Sequence, residues 1–153
     1  MNYQHHIFSP YRVCPLGAHV DHQHGLVSGF AIDKGVDLWF NITTDGSVRL
    51  NSRSFPGEVR LRVDDRTRVK EANWGDYVRG AKYALSKRFV LKNGIEGEIA
   101  GSLPVGGLSS SAAVLIAYVM AFAKANSITL TKMEVIKNLQ EVRKFLVELK
   151  ETM

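Results

Sequence analysis

A short run of small residues carries the clearest chemical signal in this 153-residue sequence. It reads P-V-G-G-L-S-S-S-A-A over residues 104–113 and leads directly into an apolar helical pattern. A helix start presents unpaired backbone N–H groups and a partial positive charge, and glycines let a polyphosphate approach that backbone closely. The run is therefore predicted to hold nucleotide phosphates. The alternative is an ordinary helix N-cap at Ser109 or Ser110 after a glycine turn.

The spacing within this run differs from that of two better-known phosphate-binding loops. A Walker loop would end in Gly-Lys-Ser/Thr, and a dinucleotide fingerprint would read G-x-G-x-x-G after a strand. Here serines follow Gly107, and their hydroxyls can donate to phosphate oxygens or coordinate Mg²⁺. The predicted nucleotide-binding residues are Gly106, Gly107, Leu108, Ser109, Ser110, Ser111 and Ala112, with Ser110 and Ser111 as the Mg²⁺ ligands.

A second polar cluster lies near the N-terminus, in a segment bracketed by prolines and glycines. It contains Arg12, Asp21 and three histidines, at positions 19, 22 and 24. Such a segment is predicted to be a loop leaving a strand, where binding groups commonly lie. Taken alone, Asp21 could form an Asx-turn and His19 could be a half-buried histidine. A zinc cluster is a further alternative, although the paired cysteines or H-E-x-x-H spacing of well-defined zinc sites are missing.

A third segment, N-W-G-D-Y-V-R-G at residues 73–80, lies between the other two. Together the three segments resemble motifs of the GHMP small-molecule kinases, and specifically of the galactokinases. In that family the first motif reads approximately P-G-R-x-N-L-I-G-E-H-T-D-Y and the second P-x-G-x-G-L-S-S-S-A. The resemblance runs from about Pro10 to Asn126, and all three segments occur in the family's order.

The resemblance implies a role for each matched residue. Arg12 would stabilise negative charge beside the reacting sugar hydroxyl, and it cannot act as a base because a guanidinium stays protonated. His19 and Asp21 would accept hydrogen bonds from the sugar, while Trp74 and Tyr77 would border the adenine pocket. The implied reaction uses ATP with Mg²⁺ and transfers the γ-phosphate to the anomeric hydroxyl of galactose or a galactose-like sugar.

One departure from the family pattern concerns the sugar. Galactokinases carry a glutamate facing the hydroxymethyl end of galactose, and this sequence has Ala18 at that position. An anionic C6 group would be repelled by glutamate and tolerated by alanine. Residues 10–23 also look closer to galacturonokinases than to galactokinases, so we hypothesise that galacturonate is the substrate.

Other features of the family pattern are not found. The catalytic aspartate motif of the M-D-Q or L-D-Q type does not occur in residues 137–153, and neither the third glycine-rich motif nor a C-terminal domain follows. We therefore expect residues 1–153 to form one N-terminal, ATP-binding domain that is inactive alone. The alternative function is an incomplete fragment that binds nucleotide or sugar, or acts as an interaction module, without turnover. Surface left open by the missing domain could support self-association, through residues 108–125 or the third helix.

Composition supports an ordinary globular protein. The sequence is 45% hydrophobic and 23% charged, and its net charge of +5 comes from scattered basic residues, so no nucleic-acid partner is predicted. A single cysteine, Cys14, excludes an intrachain disulfide. The longest apolar stretch is too short to span a membrane, and no signal-peptide core is evident, which predicts a cytoplasmic location without membrane partners.

Periodicity predicts the elements that must position these motifs. Strands are expected at residues 7–14, 26–32, 36–43, 48–52, 59–63 and 95–100, with a hairpin turn at Asp33-Lys34-Gly35 between the second and third. Helices are expected near residues 74–85, over 108–125 and over 131–149, the last opening with a capping box from Thr131 to Glu134. The predicted fold is α+β, a mixed or antiparallel sheet with about three helices, and the resemblance implies the ribosomal protein S5 domain 2-like half of a GHMP kinase.

Overall fold

The computed structural model describes residues 2–16, 28–65, 73–101 and 110–151, which form a mixed sheet with three helices. The predicted α+β class is confirmed. The five strands lie in the order β1-β2-β5-β3-β4, with β3 parallel to β5 and every other neighbouring pair antiparallel. The elements are β1 (His5–Leu16), β2 (Ser28–Thr43), β3 (Ser47–Ser52), β4 (Glu58–Arg62), α1 (Gly75–Ser86), β5 (Gly94–Gly101), α2 (Ser110–Ala125) and α3 (Lys132–Glu151).

The two faces of the sheet differ in polarity because side chains alternate along each strand. Leu38, Phe40 and Leu50 are fully buried on the face that the helices cover. The opposite face carries ion pairs between neighbouring strands, such as Arg49 with Glu96 at 2.6 Å. This alternation fixes the register, since a slip of one residue would exchange the two faces.

Strand β2 differs from the prediction. It runs without interruption from Ser28 to Thr43, so the predicted hairpin turn at residues 33–35 is wrong. Gly35 serves a packing purpose within the strand: a Cβ added there would lie 2.7 Å from the Cα of Pro10 and closer still to the Ser9 carbonyl oxygen. Gly35 pairs with Pro10 directly before the register shift between Pro10 and Arg12, so the backbones of β1 and β2 are close at an irregular point of the sheet.

Helix α2 forms the centre of the hydrophobic core, as its nearly uniform apolar pattern predicted. Ala117, Tyr118, Ala121 and Phe122 are almost completely buried, and the helix contacts β1, β2, α1 and α3. Burial raises the pKa of the Tyr118 hydroxyl. In the described residues, none of the three helices combines the length and apolar character that crossing a bilayer requires.

Helix α3 begins with the predicted capping box. The Glu134 backbone N–H donates to the Thr131 hydroxyl at 3.2 Å, and the Thr131 N–H donates to the Glu134 carboxylate at 3.4 Å. Val142 and Phe145 are buried, and the helix packs against α1. Met133 and Ile136, near the start of the helix, are 59% and 48% exposed. The helix therefore contacts the described core mainly along its later part.

Candidate functional site

Two of the three sequence motifs follow strands that end at the same edge of the sheet. Val36 of β2 pairs with Ser9 of β1 on one side and with Gly101 of β5 on the other. Since β1 and β5 are both antiparallel to β2, they run in the same direction. Strand β1 leads into residues 17–27, and β5 leads into residues 102–109. Both connections therefore leave toward the same end of the strands, which we call the motif edge, although β1 and β2 extend beyond the end of β5, as far as the pair Leu16 and Ser28.

The orientation of α2 brings its N-terminus to the motif edge. At the other end of the helix, the Asn126 side chain accepts hydrogen bonds from the backbone N–H groups of Lys92 and Asn93 at 2.7 and 2.8 Å. Asn93 also donates to the Ala125 carbonyl oxygen at 2.9 Å, and it directly precedes the first residue of β5. Because the C-terminus of α2 is fixed at the start of β5, its N-terminus lies toward the end of β5. The positive end of the helix dipole therefore faces the motif edge.

The third motif lies at this edge as well. Strand β3 is parallel to β5, with Ser52 opposite Ile99, so the turn from β3 to β4 is found at the same edge. The indole Nε1 of Trp74 donates to the carbonyl oxygen of Pro56 in that turn, at 3.1 Å. Tyr77 follows in the first turn of α1, and both aromatic side chains are half-buried against the core.

A set of polar contacts holds the start of α1, and sequence reasoning did not identify it. The Asn73 side-chain oxygen accepts a hydrogen bond from the Gly75 N–H at 2.9 Å. Arg79 donates through one nitrogen, Nη1, to Asn73 at 3.3 Å and to Asp76 at 3.1 Å. The signal was present in the sequence, since Asn73 precedes the helix and Asp76 and Arg79 lie one turn apart.

The remaining predicted site residues are distributed as follows. Arg12 lies in β1, three positions beyond Ser9, and pairs with Ala31. Ser110 and Ser111 begin α2, and Ala112 follows in its first turn. Ala18, His19, Asp21, Gly106, Gly107, Leu108 and Ser109 lie outside the described residues. The roles assigned to all these residues stay predictions.

Two places in the sequence carry potential metal ligands. Within residues 2–16, 28–65, 73–101 and 110–151, no group of three His, Cys, Asp or Glu side chains could hold a metal ion. The histidines of the alternative zinc cluster, at positions 19, 22 and 24, lie outside these ranges. The donors predicted for Mg²⁺ are hydroxyl oxygens at the α2 N-terminus, and oxygen is the ligand type that this ion prefers.

A cavity of about 300 Å³ lies at the opposite end of the sheet from the motif edge. It is lined by Val63, Tyr83 and Leu91 among others, together with the buried Lys82. The Lys82 ammonium donates to the carbonyl oxygens of Arg62, at 3.3 Å, and Asp65, so it ties the end of β4 to α1. Burial lowers the pKa of Lys82 below its ordinary value, although the nearby Asp65 carboxylate opposes this effect.

Comparison with known proteins agrees with this geometry. Residues 76–149 match the family model described as the GHMP kinases N terminal domain. Galacturonokinase from Arabidopsis thaliana is 44% identical over 147 residues, covering 84% of this chain and 35% of that protein. Galactokinase from Pyrococcus furiosus is 40% identical over 107 residues, covering 68% of this chain and 29% of that protein.

A solved structure of a galactokinase has a similar fold. The crystal structure of Lactococcus lactis galactokinase complexed with galactose superposes with a TM-score of 0.82 and 26% identity, covering 90% of this chain and 37% of that one. The chain therefore belongs to the GHMP kinases and has the fold of their N-terminal domain. Within this superfamily it is galactokinase-like, with galacturonokinase and galactokinase relatives. It spans about a third of the length of the curated relatives it matches.

Proposed function

We propose that this chain binds Mg·ATP and a galactose-type sugar, as the N-terminal part of an ATP-dependent sugar 1-kinase. The observation that carries the proposal is the pairing of Val36 with both Ser9 and Gly101, which directs the connections after β1 and β5 to one edge of the sheet. Phosphoryl transfer requires two substrates to be held side by side. One connection would bind the sugar and the other the nucleotide.

The proposed reaction assigns charge stabilisation to two elements. The anomeric oxygen of the sugar attacks the γ-phosphorus, the bond from that phosphorus to the bridging oxygen of ADP breaks, and the hydroxyl proton passes to a base. The α2 N-terminus would stabilise charge on the phosphates, and Arg12 would stabilise charge near the attacking oxygen. Ser110 and Ser111 would hold Mg²⁺, which neutralises charge on the phosphate oxygens.

Calorimetric titration of the 153-residue chain with Mg·AMP-PNP tests nucleotide binding, and a coupled assay with ATP and sugar tests turnover. We expect binding of the ATP analogue at a one-to-one ratio. A chain that binds neither the ATP analogue nor galactose nor galacturonate would contradict the proposal. A second candidate function for residues 1–153 is binding of nucleotide or sugar without turnover. Binding heat combined with no ADP release is the result that distinguishes this second function from an active kinase.

For the sugar, we propose galacturonate in preference to galactose. The support is Ala18, which lacks the negative charge that would repel a C6 carboxylate, together with the 44% identity to a galacturonokinase. The test compares Ala18→Glu with Ala18→Gln, a variant of similar size without charge. Glutamate should weaken galacturonate binding about tenfold more than glutamine does, because like charges repel in a partly desolvated site. Tighter binding of galactose than of galacturonate by the unaltered chain would contradict the assignment.

A further inference from the structure

A largely buried ion pair holds the start of α1. The Asp76 side chain is only 5% exposed and that of Arg79 only 15%, so their ion pair is largely removed from water. Pairs of this kind contribute little net stability, because the cost of desolvation offsets the attraction. Their contribution is to fix a conformation, because the buried carboxylate must keep its partner.

The residue enclosed by these contacts is Trp74. Asn73 precedes it, Asp76 follows two positions later, and the same nitrogen of Arg79 donates to both side chains. The Arg79 guanidinium therefore closes a loop of contacts around the backbone of Trp74. The indole is held separately by its hydrogen bond to the Pro56 carbonyl oxygen.

Side chains pack closely around Gly75 and leave little space for a side chain at this position. A Cβ at this position would lie 2.7 Å from Val59 Cγ2, 2.9 Å from Arg79 Nη1 and 3.0 Å from Asn73 Oδ1. The backbone at Gly75 therefore lies directly against Val59 of β4 and the side chains of Arg79 and Asn73.

We propose that Arg79 is a positioning residue for the nucleotide base, acting through Asn73 and Asp76 on Trp74 and Tyr77. This inference rests on the proposed function, since it requires the base to lie against these aromatic side chains. Arg79 and Asp76 are engaged with protein atoms in the described contacts, so their effect on the ligand is indirect. Loss of the contacts should impair recognition of the base and leave recognition of the phosphates unchanged.

The experiment compares two probes, Mg·AMP-PNP and Mg²⁺ with inorganic tripolyphosphate, which has no base. The background is Trp39→Phe, which makes Trp74 the single tryptophan and its fluorescence a direct readout. The main variant is the double change Asp76→Asn with Arg79→Met, which removes both charges of this ion pair together. Arg79→Lys is the conservative variant, because its ammonium can still reach the Asp76 carboxylate.

We expect the double variant to raise the Kd for Mg·AMP-PNP about tenfold, the scale of one base stacked on an aromatic ring. The Kd for tripolyphosphate should change less than about twofold, and Trp74 emission should shift to longer wavelength as the indole becomes more exposed. Arg79→Lys should retain most of the parent chain's affinity for Mg·AMP-PNP. Lys87→Met is the matched control, because Lys87 directly follows the C-terminal end of α1 and also forms an ion pair, with Glu141 at 2.7 Å. It should leave both affinities unchanged.

Three results would overturn the inference. One is equal weakening of both probes in the double variant, and another is unchanged binding of both. The third is a parent chain that binds Mg·AMP-PNP no better than tripolyphosphate. That result would mean that the chain binds phosphates and does not recognise the base. A parent chain that binds neither probe would contradict the proposed function itself. Should the double variant unfold, Asn73→Ala provides the same comparison, since Asn73 is exposed and the buried pair is retained; it should weaken Mg·AMP-PNP about threefold and tripolyphosphate not at all.

Discussion

The indole N–H of Trp74 donates to the carbonyl oxygen of Pro56 at 3.1 Å, joining the start of α1 to the turn between β3 and β4. The contact brings an aromatic side chain to the edge of the sheet from which the other two motifs also leave. Trp39, the other tryptophan, has a different environment, because it stacks on His6 on the polar face of the sheet.

Replacing Trp74 by phenylalanine tests this contact. The variant loses the donor to Pro56 and part of the packed ring, so the free energy of unfolding should fall by about 1–2 kcal/mol. Affinity for Mg·AMP-PNP should fall as well. Urea denaturation and calorimetry provide the two measurements. Trp39→Phe is the control, and it should leave nucleotide affinity unchanged; equal losses in the two variants would contradict the assignment.

Gly35→Ala tests why a glycine lies in the middle of β2. The added methyl group would collide with the backbone of Ser9 and Pro10, which cannot move aside as a side chain can. We expect a loss of about 2–3 kcal/mol in the free energy of unfolding. Gly57→Ala is the comparison, because position 57 has open space and a φ of +89°, and its cost should be nearer 1 kcal/mol. A smaller effect at Gly35 than at Gly57 would contradict this account.

Gly35 also shows what local sequence could not predict. Alternation and capping signals were sufficient for the fold class, for the strands on either side of residues 53–57 and for the capping box at Thr131. Asp33-Lys34-Gly35 has the composition of a turn, but the close approach of β1 is a tertiary contact without a local signal. The contacts of Arg79 were missed for a similar reason. The spacing of Asp76 and Arg79 shows that their side chains can meet, but burial of the pair depends on tertiary packing. Register brought the connections after β1 and β5 to one edge, which no single motif could have indicated.

Lys82→Met tests the buried lysine that ties β4 to α1. The change leaves the carbonyl oxygens of Arg62 and Asp65 without their charged donor, so at neutral pH the free energy of unfolding should fall by about 1–2 kcal/mol. The pH dependence has a definite sign. Because burial lowers the pKa of Lys82, the unfolded chain binds this proton more tightly, and stability due to this group rises with pH.

Denaturation series at several pH values measure this dependence. As the pH rises toward the ordinary lysine pKa of 10.5, the unaltered chain should gain stability relative to Lys82→Met, since the folded chain releases this proton at a lower pH than the unfolded chain does. A relative loss of stability over the same interval would show that the pKa is raised instead.

Self-association through the helices stays a prediction, and α3 offers a specific test. Met133 and Ile136 lie one turn apart and are largely exposed. Changing both to lysine should lower the fraction of dimer in sedimentation equilibrium and leave the free energy of unfolding within about 0.5 kcal/mol, as is usual for surface positions. Equal self-association in the variant and the unaltered chain would exclude this face as the contact.

The central claim is that the nucleotide binds at the motif edge, between the start of α2 and the start of α1. The most direct measurement is an NMR spectrum of the ¹⁵N-labelled chain with AMP-PNP and paramagnetic Mn²⁺ in place of Mg²⁺, since the ion broadens signals of nearby nuclei. We predict broadening of the amides of residues 106–112 and of the Trp74 indole N–H, with the Trp39 indole and the amide of Gly46 unaffected. Broadening centred on Gly46 and Lys82, at the other end of the sheet, would contradict the account.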